Sequence, residues 1–169
     1  MAHWLPRLLK HRLLDEGDAR RALGADALAR IESRVAASEA RHSGQIRVCV
    51  EAGLPLSYLL RRATARDRAV AMFGKLRVWD TAHNNGVLIY LLLAERAIEI
   101  VADRGLNGAA EPVAWQQVNG LMGDAFRAGR FEAGLIQAID GVDAILVRHF
   151  PLASGQAGLN ELPDAPVLR

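Results

Sequence analysis

The chain has 169 residues, 51% of them hydrophobic and 24% charged, which suits one domain able to bury a sizeable core. A formal net charge of +2 lacks the concentrated positive field of a dedicated nucleic-acid binder, so no nucleic-acid partner is expected. The lone cysteine, Cys49, has no intramolecular disulfide partner, and nothing points to an oxidising compartment.

Residues 4–14 read as a short amphipathic helix. Pro6 fits its first turn, Leu5, Leu9 and Leu13 share a face, and Arg7, Lys10 and Arg12 carry its charge. Its shortness favours docking on its own domain; the other role open to it is contact with an anionic membrane surface. The same basic residues break up any secretory h-region, and the longest apolar run, Gly86 to Ala94, is too short to span a bilayer. The expected location is the cytoplasm, peripheral to the inner membrane if the basic helix attaches there.

The next helix is expected over residues 26–41, from the spacing of Leu28, Ile31, Val35 and Ser38, with Asp26 as its cap. Gln45 to Glu51 alternates Ile46, Val48 and Val50 with Arg47 and Cys49, the pattern of a half-buried strand. Pro55 interrupts, and Ser57 to Arg62 starts a short helical piece. Thr64 and Asp67 then form a capping box for a helix striped by Ala69, Met72, Phe73 and Leu76. Trp79 to Gly86 is a polar loop leading into Val87–Leu93, an apolar run expected to be a central strand covered on both faces. Glu95 and Arg96 turn the chain into an antiparallel strand, Ala97–Ala102, and Asp103, Gly105, Asn107 and Gly108 form the loop after it.

Pro112 starts a helix carrying Trp115, Val118, Leu121, Met122, Ala125 and Phe126, stopped by Gly129. The last helix carries Phe131, Leu135, Ile139, Val142 and Leu146 and ends before Pro151. The expected organisation is an N-terminal amphipathic helical segment at 1–23, an α/β domain at 24–151, and an extended tail at 152–169. Leu159, Leu162 and Val167 are the tail residues expected to touch the body. The fold class is α/β: a small mixed β-sheet sandwiched between helices (α/β/α), with an N-terminal helix.

No Gly-rich phosphate loop, His-Glu-x-x-His or Gly-x-Ser-x-Gly elbow is present. Cys49 reads as a packing residue in a strand, not as a nucleophile, and no catalytic residue is identified. One constellation remains. Asp80, Thr81, His83, Asn84 and Asn85 precede the central strand, and Asp103, Arg104 and Asn107 follow its hairpin partner. Antiparallel pairing puts both loops at one end of the sheet, and a parallel crossover would bring Ser43-Gly44 there too. Asp80 and Asp103 with Asn84 and Asn85 are the oxygen donors a calcium or magnesium ion takes, and His83 would favour zinc. The competing role for these residues is plain turn formation, in which Asp and Asn bond their own backbone. Arg61, Arg62, Arg66 and Arg68 form a basic cluster that reads as a solvated face.

Val78-Trp79-Asp80, Asn85-Gly86-Val87-Leu88-Ile89, Ile98 to Gly105, Phe126 to Gly134 and Asn160-Glu161-Leu162-Pro163-Asp164 together resemble the TPM domain family over about residues 26–165. The last segment is similar to a short bacterial branch without signal peptide or membrane anchor. The resemblance implies an α/β/α sandwich. It also implies kinship with thylakoid-lumen proteins of photosystem II repair, some described as acid phosphatases, with membrane-protein accessories, and with calcium binders. Many relatives are acidic just before Asn-Gly or at the position of Ala82; here Asn84 and Ala82 stand there, and each missing charge weakens cation binding. Three functions follow as expectations. One is an accessory module binding a divalent cation beside a membrane-associated protein partner. Another is a low-activity metal-assisted acid phosphatase in which Arg104 binds a phosphate oxygen. The third is a structural partner protein using residues 4–14.

Overall fold

A computed structural model describes residues 4–106 (side chains from Pro6), 115, 118, 120, 124–153 and 158–169. In chain order the elements are α1 (Trp4–Arg12), α2 (Glu16–Leu23), α3 (Ala25–Glu39), β1 (Gln45–Glu51), α4 (Leu56–Leu60), α5 (Ala65–Lys75), β2 (Gly86–Leu92), β3 (Ala97–Ala102), α6 (Phe131–His149) and β4 (Val167–Leu168). Trp115, Val118, Gly120 and residues 124–127 are also helical. The loop positions Asn107 and Gly108, the helix start at Pro112, and Leu121 and Met122 lie outside the described residues.

The sheet order is β3-β2-β1-β4. β1 runs parallel to β2 with Gln45 opposite Gly86, and β3 returns antiparallel with Ala102 opposite Val87. This gives the mixed α/β sheet that the strand–helix–strand–hairpin order implies.

All seven residues of β1 are buried, so the half-buried expectation fails. The reason is non-local. β4 pairs with β1 through Cys49–Val167 and Val50–Leu168, which makes β1 an interior strand. The helical layers then cover its two faces. Ile46, Val48, Val50, Val87, Ile89 and Leu91 point into one core with Ile31, Val35, Leu135, Ile139 and Val142 of α3 and α6. Cys49, Leu88, Tyr90 and Leu92 point into the other, with Ala65, Ala69 and Met72 of α5. Period-2 alternation sorts the strand residues between the two cores.

Three further expectations are corrected. The N-cap of α3 is Gly24, at φ 77°, and Asp26 lies inside the first turn. Residues 16–23 form a helix of their own, begun by a reciprocal capping box of Asp15 and Asp18, and Ala19 of that helix is fully buried. On α1 the expected apolar face is not the docking face: Leu9 and Leu13 are 57% and 78% exposed. The buried side chain there is His11, while Leu8 packs on the core. In the tail, Leu162 is buried and Val167 packs on the core, but Leu159 is 79% exposed.

Candidate functional site

The hairpin register delivers the loops flanking β2 and β3 to one rim. Asp103 N–H donates to Gly86 O at 2.9 Å, extending the ladder one residue beyond Ala102. Gly105 N–H donates to Asn84 O at 2.8 Å. Only glycine fits at 105, because a Cβ would stand 2.5 Å from Asn84 O and 2.6 Å from His83 O. Asn84 itself takes the left-handed conformation, φ 51°, which Asn tolerates better than most residues. The Arg104 guanidinium donates to Asn84 Oδ1 from Nε at 3.2 Å and from Nη2 at 3.1 Å.

Parallel pairing of β1 with β2 brings the third loop in. Asn85 Nδ2 donates to Ser43 Oγ at 3.3 Å, and Asn85 N–H donates to Thr81 Oγ1 at 3.2 Å. Asn85 is fully buried, and its Oδ1 has no partner. Asp103 is 8% exposed; its Oδ1 accepts Arg104 N–H at 2.7 Å, and its Oδ2 has no partner. Two buried acceptor oxygens thus stand unsatisfied near the start of β2, where a buried polar atom without a partner is costly.

The structure brings Asn84, Asn85, Asp103 and Arg104 together at the rim, while Asp80 lies in the same loop outside the buried part. Asp80 is exposed, with its N–H turned onto Arg77 O at 2.9 Å. His83 is exposed as well. Among the described residues no three His, Cys, Asp or Glu side chains gather as a metal would need. The rim is therefore an amide–carboxylate site, with one buried acid. Beside it opens a cavity of about 340 Å³ lined by Ser43, Ala82, His83, Leu152, Leu159 and Glu161. Glu161 fixes its wall by accepting Ala82 N–H at 2.9 Å.

Cys49 is fully buried, and burial pushes its thiol up to about 12, so it is no nucleophile at neutral pH. Buried polar groups that sequence reasoning did not single out lie elsewhere. Ser38 Oγ donates to Asp143 Oδ1 at 2.8 Å and sits 2.9 Å from His42 Nε2. All three are buried, so this Ser-His-Asp set ties α3 to α6 and cannot meet a substrate. Glu39 accepts Ile46 N–H at 2.7 Å through Oε1 and leaves Oε2 buried without a partner. Asn85 and Asp103 were marked by their loop positions as candidate ligands, whereas Glu39 gave no local signal.

A mixed sheet between two helical layers, with polar loops collected at one rim, defines a small α/β domain. The chain belongs to the TPM domain family, whose sequence model matches residues 18–145. It is similar in structure to the BA42 protein of the psychrophilic bacterium Bizionia argentinensis, with 27% identity and a TM-score of 0.75, over 86% of this chain and 94% of that one. It also shares the fold of the N-terminal domain of a P. gingivalis protein, with 20% identity and a TM-score of 0.60, over 80% of this chain and 90% of that one. Proteins of curated function yield no match. Among the described residues no helix is long and apolar enough to cross a membrane.

Proposed function

We propose that this TPM domain is a non-enzymatic accessory module that takes a divalent cation, calcium before magnesium, at the rim of Asn84, Asn85 and Asp103. The observation that carries this reading is the pair of buried, unpartnered oxygens, Asn85 Oδ1 and Asp103 Oδ2. An oxygen-rich, carboxylate-poor site suits the larger and more permissive calcium ion, with water completing the shell. A single carboxylate and the nearby Arg104 guanidinium set a weak affinity. Asp80, exposed in the same loop, is the second acid available to an ion bound at the rim.

The phosphatase alternative retains one specific support, Arg104, which Asn84 holds in place at the same rim and whose fork suits a phosphate oxygen. A membrane-associated partner would meet α1 and the residue after it, where Leu9 and Leu13 are exposed beside Lys10 and Arg12.

Calorimetric titration with calcium tests the module reading. The wild-type protein should release or absorb saturable heat at millimolar calcium. Asp103→Asn keeps the Oδ1 acceptor for Arg104 N–H and removes the charge, so it should lose that heat while staying folded. Equal heats from both proteins would remove the rim as the site. Aryl-phosphate hydrolysis that depends on both calcium and Arg104 would favour the phosphatase instead.

A further inference from the structure

Two short helices lie side by side over the core beneath α5, and their outer sides stay apolar. At one end of α1, Arg7 Nη2 donates to Ala63 O at 2.7 Å; at the other, His11 Nδ1 accepts Leu54 N–H at 2.9 Å. The helix therefore runs alongside residues 54–63, with α4 between the two anchors. Leu8 of α1 and Leu59 of α4 both pack into this core, so the two outer sides face away from the same layer. At about 100° per residue, Leu9 stands opposite the buried His11. Leu13, whose N–H donates to Leu9 O at 3.1 Å, continues that line. On α4, Leu56 and Leu60 are one turn apart and are 44% and 68% exposed.

We propose that this joint face of α1 and α4 docks on an anionic phospholipid bilayer, lying flat in the headgroup layer. The proposal rests on the placing of a membrane-side contact at α1 given above and names lipid, not protein, as the occupant. It does not depend on the calcium rim.

Charge decides the occupant. Lys10 and Arg12 flank the leucines of α1, and Arg61 and Arg62 follow those of α4; all four are exposed. Arg61 is held 4.0 Å over the Tyr58 ring. The acids nearby are committed elsewhere. Glu95 holds Arg7 and His11, and Asp67, which shares a shallow cavity with Arg61 and Arg62, accepts from the Thr64 amide and hydroxyl. Asp15 and Glu16, just after Leu13, pair with Arg21 and Arg20. Among the described residues no ion pair holds any of the four cations. A second copy of the chain would set these cations against themselves across a two-fold axis. A bilayer with anionic lipid answers both parts of the face: phosphates at the level of the cations, and acyl chains below for the leucines.

The test is co-sedimentation of the full chain with phosphatidylcholine vesicles, with and without phosphatidylglycerol. Pelleting is expected with the anionic vesicles only. It should be lost between about 0.1 M and about 1 M salt, as the screening length falls from about 10 Å to about 3 Å. Arg61→Gln with Arg62→Gln should weaken binding about fivefold per charge. Leu13→Ser with Leu60→Ser should weaken it at least about tenfold. A polarity-sensitive dye gives a second reading without removing a cation. On Leu13→Cys its emission should shift to the blue when anionic vesicles are added; on Leu159→Cys, beside the rim cavity, it should not. Cys49 is fully buried and stays unlabelled. Binding should be the same in calcium, in chelator and in Asp103→Asn. Pelleting that needs calcium and fails in Asp103→Asn would put the membrane contact at the rim, overturning this proposal while supporting the cation site. The proposal is also overturned by equal binding to neutral vesicles, by undiminished binding in either double variant, or by an unshifted dye at position 13. No pelleting with these protein-free vesicles overturns it too, and leaves the α1 face to a protein partner.

Discussion

Arg68 on α5 lays its guanidinium fork on Glu51 at the end of β1, Nε to Oε2 at 2.8 Å and Nη2 to Oε1 at 2.6 Å, with both side chains almost fully buried. Tyr90 of β2 donates its hydroxyl to the same Oε2 at 2.6 Å. The triad joins one helix to two strands and leaves no charge unpaired. Arg68→Met strands the Glu51 carboxylate and is expected to destabilise the fold by about 3 to 5 kcal/mol. Replacing the whole set, as Arg68→Met, Glu51→Met and Tyr90→Phe together, should recover most of that loss. Urea unfolding of the single and triple variants checks both; a triple variant as unstable as Arg68→Met contradicts this account.

Glu39 makes stability depend on pH in an unusual direction. Its carboxyl rises from 4.5 to about 8 in the folded state, chiefly through burial, with Asp164 opposing its charge and Arg47 favouring it. Between those values the native protein holds a proton that the unfolded chain has released, so the slope of stability with pH is negative. The contribution is fully present below about 4.5 and is lost as pH rises through about 8. Glu39→Gln removes the titration. Denaturant unfolding at about pH 5 and about pH 9 should show the variant gaining on the wild type at the higher pH by a few kcal/mol. A constant difference across that range would contradict the assignment.

His11 is the pin of α1. Its Nδ1 accepts Leu54 N–H at 2.9 Å, so its proton is on Nε2, 3.0 Å from Glu95 Oε1, which Arg7 also holds at 2.7 Å. Burial lowers the His11 pKa from 6.5, and Glu95 only partly offsets this. A depressed folded value means that this stabilisation is present above 6.5 and is lost as pH falls through the folded value. Amide protection factors at residues 8–12 should fall on acidification and in His11→Ala at neutral pH. Unchanged protection in His11→Ala would show that α1 is held by other contacts.

Gly105→Ala tests the geometry of the rim without touching a donor oxygen. The added Cβ would meet Asn84 O at 2.5 Å, backbone against side chain, with no flexible group able to yield. A loss of about 1 to 3 kcal/mol is expected from such overpacking. Thermal unfolding measures it; an unperturbed melting temperature would mean that the two loops are free to separate.

The strands were readable because their signals are local. Gly86–Leu92 is a continuous β-rich apolar run, and Ala97–Ala102 follows a tight turn at Arg96, φ 49°. The Thr64–Asp67 capping box stands in the sequence as it does in the fold. The helix at 16–23 was missed because Gly17 and its charges blur the periodicity, though Asp15 and Asp18 carried its start signal. β4 is two residues long and exists only through its pairing with Cys49 and Val50, which no local pattern encodes. The same distinction divides the residues of the candidate rim. Asn84, Asn85, Asp103 and Arg104 were legible from hairpin geometry and turn chemistry, whereas Asp80 shares the loop but not the buried rim. Glu39 owes its setting to Ile46 and to a tail more than a hundred residues downstream. Residues so far apart in sequence leave no spacing to read.

The central claim is that the buried oxygens of Asn85 and Asp103 are a cation's ligands. Amide shift mapping of the wild-type chain during calcium addition tests it most directly. Saturable changes centred on residues 84–87 and 103–106, and absent from Asp103→Asn, are the expected result. Unmoved amides at both loops in millimolar calcium, with the rest of the spectrum intact, would contradict it.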